Sequence, residues 1–156
     1  MTKFLLALHV LAAIVAIGPV TVAASMFPAA VRREDAGRPD AQGLATARTL
    51  HGICRVYAHL AIAVPVFGFA TASALHVLGS AWLISSIILT TLAAAVLGLL
   101  VLPSQRALLS TASGPITEPV SRSATARLAM LTGVFNLLWA TVTVLMIVRP
   151  GSTTGV

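Results

Sequence analysis

Charge is what this sequence has least of. Only 9 % of its 156 residues are Asp, Glu, Lys or Arg, whereas a soluble domain carries roughly a quarter. A chain so short of charge cannot keep a globular surface wet, which excludes a water-soluble fold. Cysteine is nearly absent too. Cys54 stands alone, which excludes an internal disulfide, a CxxC redox pair and a cysteine-rich zinc site. The four acidic residues, Glu34, Asp35, Asp40 and Glu118, all fall between the apolar stretches. Carboxylate-based proton or sodium coupling inside a membrane therefore has no residue to use, and a Ser/His/Asp triad has no carboxylate to orient its histidine. Met1, Met26, Met130 and Met146 are scattered, against a thioether copper site. No phosphate-cradling GxxxxGK[ST] loop occurs.

What the chain has in quantity is apolar surface. Apolar residues make up 58 % of it and the mean hydropathy is +0.98, which also excludes disorder. A spanning helix needs about 20 mostly apolar residues. Four stretches supply them, predicting an all-α, polytopic four-helix membrane bundle in a single transmembrane domain over residues 1–156. The first helix is expected at 4–27, ended by Pro28. From Val56 to Gln105 no charged residue occurs, enough for two spans at about 50–75 and 80–102 joined by a turn at Leu75 to Ser80. The fourth is expected at 125–148. Lys3 before an apolar run resembles a secretory signal, but the run continues through Met26 and Phe27, longer than a signal core, and is read as a retained span.

The connections give the direction. Arg32, Arg33, Arg38, Arg48 and Arg55 flank the first connection, and Arg106, Arg122 and Arg127 the third. Lys3 and Arg149 alone lie at the other end. By the positive-inside rule, both termini are expected outside and the loops 28–49 and 103–124 in the cytoplasm. The basic charge is then a topology signal that attracts anionic membrane lipids. Nucleic-acid binding is not expected, because no aromatic or Lys-rich patch accompanies it. Pro39-Asp40 offers a helix start, so Ala41 to Leu50 is expected to extend helix two into the cytoplasm, while Pro103, Gly114, Pro115 and Pro119 mark the third connection as irregular.

Helices in lipid associate through close backbone approach and polar contacts. Ser86, Thr90, Ala94 and Gly98 recur every four residues as a small-residue ridge, and His9, Ala12, Ala13 and Ala16 share a face of helix one. Gly18-Pro19 and Pro65 are expected to bend their helices.

Histidines form most of the remaining polar stock. Arg48, His51, Arg55 and His59 follow spacings of three, four and four along one face of helix two. The stripe fits an anion or lipid head group at Arg48, His51 and Arg55. It equally fits arginines snorkelling to the surface, with His59 hydrogen-bonded to Asn136 of helix four inside the bundle. Membrane histidines also suggest haem b, whose iron takes axial histidines. His9 and His59 would differ in depth by roughly 12–16 Å, whereas His9 and His76 differ by roughly 8 Å, which makes His9 with His76 the better pair.

Leu5-Leu6-Ala7-Leu8-His9-Val10-Leu11, with Gly18 nine residues after His9, resembles the opening of a family of uncharacterised four-helix bacterial membrane proteins. That family is similar to the copper-resistance D membrane domain and to haem-containing protoporphyrinogen oxidases. The resemblance implies a haem- or metal-associated role for His9. The oxidase-like relatives place a basic residue in a later helix as partner to the first histidine, whereas Ala81 to Leu102 here contains none, and methionines are few for copper import.

The expected function is an accessory or structural subunit of a membrane assembly, without catalytic activity of its own and with a membrane-protein partner or a second copy of itself. The alternative is a b-type haem protein passing electrons to or from quinone through His9 and His76. A small-molecule carrier is a third reading.

Overall fold

The structure, a computed structural model, describes residues 2–34, 41–114 and 121–151. Every element among them is helical: α1 Thr2–Glu34, α2 Ala41–Leu60, α3 Ala63–Ala74, α4 Ala81–Ala95, a π-helical segment Val96–Val101, α5 Leu102–Ala112 and α6 Arg122–Val148. They make four rods, because α2 with α3, and α4 through α5, each form one long apolar helix. All four are long and apolar enough to cross a bilayer, and the protein is a multi-pass membrane four-helix bundle.

The rods are longer than expected, and the reasons are tertiary. α1 passes through Pro28 and continues to Glu34, instead of stopping at 27, because Phe27, Ala30 and Val31 are buried in one cluster with Ala47 and Leu50 of α2. A proline inside a helix loses one hydrogen bond and strains the preceding turn; burial on both sides offsets that. The third rod likewise runs to Ala112, so residues 103–112 are helix and not connector. Its π segment ends immediately before Leu102 and Pro103, where a wider turn relieves the clash of the proline ring with the preceding carbonyls. The helix expected to extend the second span from Ala41 is present, α2 running unbroken from Ala41 to Leu60, and α6 starts at Arg122 instead of 125. Pro39, Asp40, Pro115 and Pro119 lie outside the described residues.

Pro65 breaks the second rod. It has no N–H for the Ala61 carbonyl, which instead accepts from the Val64 amide at 3.1 Å, and two turn residues separate α2 from α3. The 75–80 turn closes with a Ser80 amide to Val77 carbonyl bond of 3.0 Å.

The main core fills the half of the bundle that holds the α1–α2 and α5–α6 connections. Phe27, Phe135, Leu128, Val20, Val31 and Val101 are its largest fully buried apolar side chains. The expected ridge is present only in part: Ser86 is buried and Thr90 half-buried, but Ala94 and Gly98 are exposed. Ala94 and Gly98 each sit one residue, about 100° of helix, past Ala93 and Leu97, which the fold buries. The buried line runs instead through Ser86, Ala93, Leu97, Val101, Gln105 and Leu108.

Candidate functional site: a lateral cleft

The other half of the bundle, towards the N-terminus, the 75–80 turn and Gly151, is not closed. There α3 packs mainly on α1, and α4 mainly on α6. Between the two pairs lies a cleft of about 970 Å³, at the upper end of the range for small-molecule sites. Its walls explain why it stays open. Where the other half buries Phe27 and Phe135 between the rods, the lining of this half includes the small residues Ala13, Gly18, Gly68 and Ala140, which fill little of the space between the two pairs. Leu6, Ile14, Ile17, Leu83 and Ile87 supply an apolar lining.

His9 is the most reactive group in this wall. It is half-buried, and its Nδ1 lies 2.9 Å from the Val64 carbonyl oxygen. A carbonyl only accepts, so Nδ1 carries the proton, and in the neutral ring Nε2 is left with a lone pair. Gly68 makes the approach possible. A Cβ there would lie 3.0 Å from His9 Cε1 and 3.2 Å from Nδ1, so a side chain at this position would push the imidazole back by a few tenths of an ångström.

Arg149 stands at the C-terminal end of α6, on the rim of the cleft. It adopts the left-handed conformation, with φ 46°, and its amide bonds the Leu145 carbonyl at 3.0 Å as a helix C-cap. Glycine usually takes that position, and a residue with a Cβ is strained there by about 1 kcal/mol or more. Its Nε donates to the Met146 carbonyl at 3.2 Å, and the guanidinium stacks 5.6 Å above the ring of Trp82 on α4. Arg149 thereby ties α6 to α4 at the rim.

Deeper in the wall, Asn136 donates from Nδ2 to the Ser25 hydroxyl at 3.2 Å. Asn136 Oδ1 and Trp139 Nε1 are buried without a hydrogen-bond partner. Leaving such groups unsatisfied is costly in an apolar medium, and two of them in one cleft wall are a polar reserve that the rest of the fold does not use.

The remaining histidines go elsewhere. His59 is exposed and turns its Nδ1 back onto the Arg55 carbonyl at 2.6 Å, so the expected His59–Asn136 contact does not form: Asn136 faces α1 instead. His76 lies exposed in the turn with φ 56° and is not among the cleft residues. The stripe on α2 splits. Arg48 donates to the Ser113 hydroxyl at 2.9 Å, Arg55 is exposed, and His51 turns inward to Gln105. A step of three residues rotates only about 300°, which puts His51 about 60° round the helix from Arg48 and about 40° from Arg55. His51 Nδ1 donates to Gln105 Oε1 at 2.9 Å, and Gln105 Nε2 reaches the buried Cys54 Sγ at 3.6 Å. This cluster bolts the second rod to the third. Among the described residues, no group of three or more His, Cys, Asp or Glu could hold a metal ion.

Gly68, Arg149, Trp139 and Gln105 were not singled out by the sequence. One signal was available: Gln105 is the sole side-chain amide in the uncharged run from Val56 to Gln105. Comparison with protein-family models, curated proteins and solved structures finds no match to this chain.

Proposed function

We propose that this protein is an accessory membrane protein that holds an amphipathic small molecule from the bilayer in the lateral cleft, without transforming it. The observation that carries this reading is the cleft itself: about 970 Å³ of apolar-walled space beside a tightly packed half-bundle, with an imidazole in its wall and a guanidinium on its rim. Oriented by the positive-inside rule in a bacterial inner membrane, it would face the outer leaflet. Ala140 lines the cleft and is exposed to it, so Ala140→Trp fills the space without touching the main core. Native mass spectrometry of protein extracted in lipid nanodiscs is expected to find a bound small molecule on the wild type and none on Ala140→Trp. Equal lipid profiles for the two proteins would overturn the reading.

His9 favours a second occupant, haem b. An Nδ1–H held by a backbone carbonyl presents Nε2 as a metal ligand, and Arg149 could pair with a propionate. The fit covers one face of the iron only, because neither His76 nor His59 lines the cleft. Haem would bring an electron-accepting iron to the site, while the chain's part would be to hold it through Nε2 and the guanidinium. After haem-replete expression this reading expects a Soret band in the wild type that His9→Ala removes; a colourless wild type ends it.

A further inference from the structure

The chemistry of the cleft's polar wall narrows what it can hold, on the reading that the cleft is a ligand site. The geometry points to a lipid-soluble phenol or hydroquinone, seated with its hydroxyl proton on His9 Nε2. The bond from His9 Nδ1 to the Val64 carbonyl leaves Nε2 an acceptor in the neutral ring. A quinone carbonyl, an ester or an ether has no proton to offer it, whereas a hydroxyl does.

The neighbouring hydroxyls sharpen the choice. Ser86, Thr91 and Thr143 line the cleft, and each donates its proton to a carbonyl of its own helix at 2.8–2.9 Å. Thr91 and Thr143 are exposed and keep lone pairs free to accept, whereas Ser86 is fully buried. A ligand that carries its own donor therefore meets acceptors on α1, α4 and α6. The aromatic side chains Trp139 and Phe69 in the cleft lining suit the face of a planar ring. An alkyl or prenyl tail would lie along Ile14, Ile17 and Ile87.

The test compares para-nonylphenol with its methyl ether, which differ only in the O–H. Binding is followed through the fluorescence of the two tryptophans, of which Trp139 lines the cleft, in the full-length protein reconstituted in nanodiscs. The phenol is expected to bind about tenfold more tightly than the ether, the effect of one hydrogen bond in a desolvated wall. His9→Phe, which keeps a ring of similar size, is expected to lower the phenol to the level of the ether. Gly68→Ala, which pushes the imidazole aside, is expected to weaken the phenol more than the ether. Equal affinity of the two probes for the wild type, or a phenol preference that survives both His9→Phe and His9→Ala, overturns the inference while leaving the cleft a ligand site. Saturable binding of neither probe overturns the inference and the ligand-site reading together.

Discussion

Replacing Phe135 with alanine is expected to lower the stability of the bundle by roughly 2–3 kcal/mol. Phe135 is 1 % exposed and packs edge-on to Trp139, ring centroids 6.4 Å apart and planes at 73°. In water such a change costs about 3–5 kcal/mol, part of it the lost transfer of apolar atoms out of solvent. That part shrinks in a bilayer, because lipid is as apolar as the core. The cavity remains: about 100 Å³ at ~24 cal/mol per Å³ is roughly 2.4 kcal/mol. Ile147, 71 % exposed on α6, is the control, since Ile147→Ala exchanges protein–lipid contacts for more of the same and is expected to stay within about 0.5 kcal/mol of wild type. Denaturation of the detergent-solubilised protein by sodium dodecyl sulfate measures both. Equal losses for the two variants would mean that the buried cluster around Phe135 does not hold the bundle together.

Gln105→Ala is the second large effect. The side chain is fully buried and is the only polar link between His51 and Cys54. A hydrogen bond between membrane helices is worth about 0.6 kcal/mol on average, too little by itself to make this site critical. The truncation does more: it leaves the His51 Nδ1–H without its acceptor, at about 1–3 kcal/mol, and opens a cavity. A combined loss of roughly 2–3 kcal/mol is expected, with Gln105→Met, which keeps most of the volume, losing about half as much. In the background of His51→Ala, Gln105→Ala should cost clearly less than in the wild type, because the orphaned donor is already gone. Thermal unfolding in mild detergent reads the cycle, and strictly additive losses would show that the two residues do not work as a unit.

The helical rods were legible because the requirement behind them is one of composition. A bilayer demands about 20 residues without charge, and that is written directly in the runs after Phe4, after Val56 and after Arg127. Their ends were not legible. Pro28 and Pro103 carry the local signature of a helix stop, yet helix continues past both, since burial of Phe27 and Val31 on one rod, and of Gln105 and Leu108 on another, outweighs the lost hydrogen bond. His9 was legible as an inward-facing polar residue from its alanine neighbours. Its bonding partner was not, because Val64 is a backbone carbonyl on another rod, 55 residues away, and any residue type can supply a carbonyl. His59 failed for a related reason: depth matched it to Asn136, but an exposed histidine can satisfy itself on its own helix.

By itself the sequence determined that this chain lives in a membrane, crosses it four times as helices, and has no carboxylate within those spans to do chemistry with. Those properties depend on what each residue prefers as a solvent, and preference adds up along the chain. Only the tertiary structure decided that the bundle is packed at one end and cleft at the other, that Gly68 admits α3 against the His9 ring, and that Arg149 reaches across to Trp82. These depend on which surfaces meet between distant rods, where one missing side chain or one rotated face changes the contact, and no local run of residues specifies that.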